Sequence, residues 1–144
     1  MIKVVLNNAV VAPYSQSFFV NISRATARYE SRVKGVVEIN IIGSVAMKKL
    51  NRVYRGKNSD TDVLSFPWQD DKIVNSSMLG EIYLCYARVK RQAKEFVVPE
   101  KEEMARMLIH GLLHLVGHDH GRPAEAKKMF GLQEKILAVC QPKK

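Results

Sequence analysis

Two periodicities divide the chain. Four short stretches of β-branched, aromatic and other apolar residues are bounded by turn-forming residues, which reads as strands. They are Ile2–Leu6 (IKVVL), Val36–Ile42 (VVEINII), Val63–Phe66, stopped by Pro67, and Leu79–Cys85. The segments between them repeat every three to four residues, as helices do. One helix is expected from about Ser15 to Tyr29, with Phe18, Ile22, Ala25 and Tyr29 on one stripe. A second is capped by Ser44 and runs through Val45, Leu50 and Tyr54. A basic helix covers Tyr86–Val97. Another follows with Pro99 as its first residue and Gly117 closing it. The last opens at Pro123, with Ala126, Met129, Phe130, Gln133 and Leu137 along one side. RGKNSDTD is turn chemistry, and Asp70–Ser77 reads as a polar loop. Strands interspersed with helices predict an α+β domain: a small mixed four-stranded sheet packed against helices.

The stretch MLIHGLLHLV, Met107–Val116, departs from amphipathic patterning. Apart from two histidines it is apolar all round, so it is expected to be the central, buried helix of the domain. Two imidazoles in such a helix are costly unless each finds a partner. His110 and His114 stand one turn apart, with Cβ atoms about 5–6 Å from each other on one face. Gly117 can adopt a left-handed shape and turn the chain, which brings His120 back under that face. Three neutral imidazoles with an open fourth position suit a zinc ion, one per chain. The alternative is three core histidines bonded to backbone carbonyls; the spacing on an apolar helix favours the metal. Asp119 either orients a ligand histidine or caps the turn. His118 falls outside the spacing and is read as a surface or wall residue.

In the zinc-protease form of this pattern the residue after the first histidine is a glutamate base. Here it is Gly111. The expectation is that glycine widens the space above the metal for a bulky anion that glutamate would repel.

Composition narrows the rest. A chain of 144 residues with 47% hydrophobic and 26% charged residues has material for one core without disulfide staples. Cys85 and Cys140 are far apart and unpatterned, which reads as reduced thiols in a cytoplasmic protein. The N-terminal segment lacks a signal-peptide pattern, and the longest apolar run is too short for a bilayer. The net charge of +9 favours an anionic partner, RNA first. Arg88, Lys90, Arg91 and Lys94 crowd the helix before the histidine helix, and with no acidic partners expected nearby they are RNA-contact candidates. Arg24, Arg28 and Arg32 form a second candidate stripe. Arg55 follows a helix and precedes a glycine turn; it is either a phosphate-binding guanidinium or an exposed surface charge.

HGLLHLVGHDH, His110–His120, resembles the signature of the YbeY family of bacterial ribosomal-RNA maturation endoribonucleases. A second block, LNRVYRGKNSDTDVLSFP at Leu50–Pro67, agrees with that family, and LGEI at Leu79–Ile82 is a weaker match. The resemblance covers roughly Leu50–Leu137. It departs at His118, where tyrosine is frequent, and at Gly121-Arg122, where acidic residues are common. The resemblance implies zinc on His110, His114 and His120 and a functional arginine at Arg55. It implies residues 1–144 as a single metallohydrolase domain that processes small-subunit ribosomal RNA alongside small-subunit ribosomal proteins, away from any membrane.

Three classes of function then stand side by side. The first is a single-strand-directed, zinc-dependent endoribonuclease in ribosome maturation and quality control. The second is a hydrolase of another substrate, such as a peptidase, which the missing glutamate opposes. The third is a non-catalytic assembly factor stapled by zinc, which an open three-ligand site opposes. For the reaction itself, hydroxide and a ribose 2′-hydroxyl are both eligible nucleophiles.

Overall fold

The computed structural model describes residues 2–68 and 77–140. Among these the chain order is β1 (Ile2–Asn8), α1 (Gln16–Tyr29), β2 (Gly35–Ile42), α2 (Ser44–Arg55), β3 (Val63–Pro67), β4 (Met78–Cys85), α3 (Tyr86–Phe96), α4 (Glu100–Leu115) and α5 (Pro123–Cys140). The sheet is mixed and four-stranded in the order β1-β2-β4-β3. β1, β2 and β4 are parallel, and β3 lies antiparallel on the edge against β4. The α+β architecture expected from the pattern is therefore present.

Strand alternation builds two cores. Val37, Ile39 and Ile41 of β2 and Ile82 and Leu84 of β4 are fully buried on one face, beneath α1, α4 and α5. Ile42, Leu64 and Cys85 point the other way and meet Met47 of α2. The segment that read as apolar all round is indeed enclosed: α4 packs against α1, α3, α5, β3 and β4. Leu108, Ile109, Leu112 and Leu113 are all at 0% exposure. Truncating any of them to alanine would cost about 2–5 kcal/mol.

Several local expectations are corrected. β1 continues through Asn7 and Asn8, because its ladder with β2 extends to Asn40 and Ile41. Asn7 there donates to Asn40 and Glu38 on the face that α1 does not cover. The buried stripe of α1 runs through Phe19, Ile22, Ala25 and Thr26; Phe18 is half-buried and Tyr29 is exposed. Gly43, not Ser44, is the N-cap of α2, and no side chain caps that end. Pro99 is the N-cap of α4 rather than its first turn: its ψ of 142° is extended, while its carbonyl accepts from Glu103. The polar loop expected at Asp70–Ser77 lies, apart from Ser77, outside the described residues.

Candidate metal centre

The end of α4 carries the chemistry. Val116 caps the helix and Gly117 follows at φ 96°. The Gly117 N–H donates to the His114 carbonyl at 3.1 Å and the His118 N–H to Leu113 at 3.0 Å. This paired bonding reverses the chain about a left-handed residue that glycine adopts without penalty. The reversal returns His120 to the same face as His110 and His114. One nitrogen from each of the three imidazoles lies within 4.8 Å of the others. The ring centroids are separated by 4.6, 5.1 and 5.5 Å.

The donor set fits a metal ion. Burial pushes the His110 pKa below its ordinary value. Burial, joined by the two neighbouring imidazoles, takes His114 down to about 4. Both rings are thus neutral near pH 7, the form that ligates. His110 Nδ1 lies 2.8 Å from Gln133 Oε1 on α5. Accepting from that nitrogen fixes the tautomer and leaves Nε2 free to point at the cluster. The amide is itself oriented, since Gln133 Nε2 donates to Glu134 Oε2. Phe130, one turn earlier on α5, stacks at 20° against both His110 and His120.

Sequence periodicity marked Phe130 and Gln133 as part of the inner side of α5 but gave neither a role. A glutamine on an otherwise apolar stripe was the available signal, and the fold buries it to 4% exposure.

The histidines open into a cavity of about 770 Å³. Its wall also holds Arg55, Thr61, Asp62, Asp119, Phe130, Gln133 and the whole of β3. Arg55 is exposed at the last residue of α2, where Gly56 turns the chain in a left-handed cap. Among the described residues it pairs with no carboxylate. Asp119 accepts the backbone N–H of His120 at 2.7 Å, the turn-capping alternative, while still lining the cavity. His118 stands apart from the triad. Its Nε2 lies 2.8 Å from Glu30, whose carboxyl the Arg32 hydrogen bond lowers to about 2.

Three expectations change here. Gly111 does not widen the space above the metal. A Cβ there would meet Ser65 Oγ at 3.1 Å and Ile82 and Val63 Cγ2 at 3.2 Å. The position faces the sheet, and its glycine lets α4 approach β3 and β4. The basic helix does have an acidic neighbour: Asp60 bonds both Arg88 (3.1 Å) and Arg91 (2.9 Å). Lys90 lies over the Tyr86 ring, and none of the four basic residues lines the histidine cavity. The Arg24–Arg28–Arg32 stripe is broken, because α1 ends at Tyr29 and Arg32 bonds Glu30 from the following turn.

Comparison with known proteins identifies the family to which the chain is similar. The family described as Endoribonuclease YbeY matches residues 7–141. A Malacoplasma penetrans protein named Endoribonuclease YbeY is 40% identical over 107 residues, 74% of this chain and 71% of the relative. One from Ureaplasma urealyticum serovar 10 is 44% identical over 100 residues, 69% of this chain and 64% of the relative. The solution structure of TM1509 from Thermotoga maritima superposes with a TM-score of 0.64 at 28% identity, covering 97% of this chain and 89% of that one.

Proposed function

The chain belongs to the endoribonuclease YbeY family, and on that premise we propose that it is a metal-dependent hydrolase that cleaves single-stranded RNA at the histidine-lined cavity. The observation that carries the reading is the convergence of His110, His114 and His120 in a cavity whose wall also holds Arg55, which pairs with no carboxylate among the described residues. Zinc is the metal that three neutral imidazoles with an open position suit best. Bound there, it would supply Lewis acidity toward a phosphoryl oxygen and lower the pKa of water. Residues 1–144 act as one metallohydrolase domain in this reading.

The chain's own residues divide the remaining work. Gln133 holds the His110 ring in the ligating tautomer. Arg55 binds non-bridging phosphate oxygens, for which a planar guanidinium offers two parallel donors. Asp119 stiffens the turn that presents His120. Arg88, Lys90, Arg91 and Lys94 lie outside the cavity and act at longer range, drawing an anionic strand toward it. Among the described residues no helix is long and apolar enough to cross a membrane. The cellular setting proposed is cytoplasmic, with small-subunit ribosomal RNA as substrate and ribosomal proteins as neighbours. The peptidase reading is disfavoured because a glutamate at Gly111 would collide with the sheet rather than face the cavity.

The test is cleavage of a labelled single-stranded oligoribonucleotide by wild type, His114→Ala and Arg55→Ala, with zinc content measured on each. Wild type should cut. His114→Ala should lose both metal and cleavage, and Arg55→Ala should keep metal but lose cleavage. Undiminished cutting by metal-free His114→Ala would refute the reading. In the host, loss of the protein should leave small-subunit precursor RNA unprocessed.

A further inference from the structure

We propose that the backbone N–H of Ser65, on the open edge of β3, binds a non-bridging phosphodiester oxygen in the histidine cavity. This rests on the endoribonuclease reading and names a group by which that site holds its substrate.

β3 has β4 on one side and, among the described residues, no strand on the other. The register shows which groups face outward. Val63 pairs with Leu84, Ser65 with Ile82 and Pro67 with Gly80. At the two ends, Cys85 N–H donates to the Asp62 carbonyl and Trp68 N–H to the Leu79 carbonyl. Residues in an antiparallel pair alternate between bonding across the ladder and pointing away from it. Asp62, Leu64, Phe66 and Trp68 therefore bond to β4. Val63, Ser65 and Pro67 turn their backbone groups to the open edge. Pro67 is consistent with this, since it has no N–H to give to a ladder. That open edge runs along the wall that Arg55 and the three histidines complete.

Of the three outward positions, Ser65 alone retains a free donor among the described residues. The Val63 N–H is taken by Asp62 Oδ1 at 2.7 Å, and Pro67 has none. Ser65 is also held in the frame of the histidines. Its hydroxyl donates to the Gly111 carbonyl at 3.1 Å, one residue after His110. The same helix that carries two imidazoles thus positions this amide.

The pattern also decides the occupant. An extended peptide adding to a sheet edge needs alternating donors and acceptors over several residues. With the Val63 donor occupied and the Pro67 donor missing, this edge cannot build such a ladder. A phosphodiester presents acceptor oxygens and a negative charge, so one amide beside Arg55 suits it. The neighbouring edge carbonyls of Val63 and Ser65 are acceptors that a ribose hydroxyl can use.

The test is an NMR titration of the zinc-loaded, full-length, ¹⁵N-labelled protein. The probe is a 2′-O-methyl dinucleoside monophosphate, with its uncharged methylphosphonate analogue as control. The Ser65 amide proton should move downfield with the phosphodiester and far less with the methylphosphonate. Ser65→Pro removes the donor at a position where the ladder needs none. It should keep zinc and weaken dinucleotide binding roughly 10- to 100-fold. Ser65→Ala, which keeps the amide, should bind within about twofold of wild type. If Ser65→Pro does not fold, the wild-type titration decides. A stationary Ser65 amide while Arg55 and the histidines respond would overturn the assignment and leave the RNA reading standing. If no cavity resonance responds, both fall. An uncharged extended peptide that moves Ser65 as strongly as the dinucleotide would also overturn it.

Discussion

The amide oxygen of Gln133 on α5 meets the Nδ1 nitrogen of His110 on α4 at 2.8 Å, and this contact ties two helices to the chemistry of one imidazole. It connects the packing of α5 to the direction in which a metal ligand points.

Removing that contact should loosen the metal rather than the fold. Gln133→Ala is expected to weaken zinc affinity by about 10- to 100-fold. Gln133→Glu, which keeps an acceptor at the same reach, should restore much of it. Competition with a chromophoric chelator measures both. Equal affinities for wild type and Gln133→Ala would show that the ring needs no such support.

Gly111 is expected to be intolerant of side chains because it is a packing position. Gly111→Ala gains about 1 kcal/mol of helix propensity. It must also push Ser65, Val63 and Ile82 back from contacts of 3.1 to 3.2 Å. Two of these neighbours are anchored in the edge strand and one in β4, so the net effect should be a loss of about 1–2 kcal/mol. Gly111→Glu should be far worse and should not create a peptidase. Urea denaturation of the two variants checks the order; a stable Gly111→Glu protein would contradict the packing.

The metal-free protein should lose stability in mild acid. The folded pKa of His114 is about 4, below its ordinary value of 6.5, because burial and two imidazoles disfavour the charged ring. Between those values the unfolded chain binds the proton and the folded chain does not. Stability is therefore full above about pH 6.5, falls as pH drops toward about 4, and gains no further loss from this group below that. The loss should be on the order of 2 kcal/mol. Denaturation of chelator-treated protein at several pH values, compared with His114→Asn, isolates the effect. A pH dependence unchanged in the variant would assign it elsewhere.

Asp60 should act as a brake on RNA attraction. It holds both Arg88 and Arg91, so Asp60→Asn should strengthen RNA binding and steepen its fall with salt. Replacing Arg88, Lys90, Arg91 and Lys94 by glutamine should flatten the slope while zinc stays bound. Identical salt slopes for all three proteins would confine the RNA contacts to the cavity itself.

The sequence by itself determined which residues could be ligands and which elements would carry them. Hydrophobic periodicity is a local property, so it located the strands, the buried helix and the spacing that stacks His110 under His114. The glycine at 117 announced the reversal that returns His120, because a left-handed turn has few alternative residues. What only the tertiary structure decided are relationships between elements far apart in the chain. A helix buried on all sides has no polar face to reveal its orientation. Whether Gly111 looks at the metal or at the sheet was therefore settled by how α4 lies on β3. Likewise Asp60 is distant from Arg88 in sequence, and only the packing of α3 makes them a pair. Gln133 becomes a partner for His110 because α5 crosses α4 at that height. The Ser65 amide faces away from β4, without a partner among the described residues, because β3 takes the outer place in the sheet, which strand patterning alone does not specify.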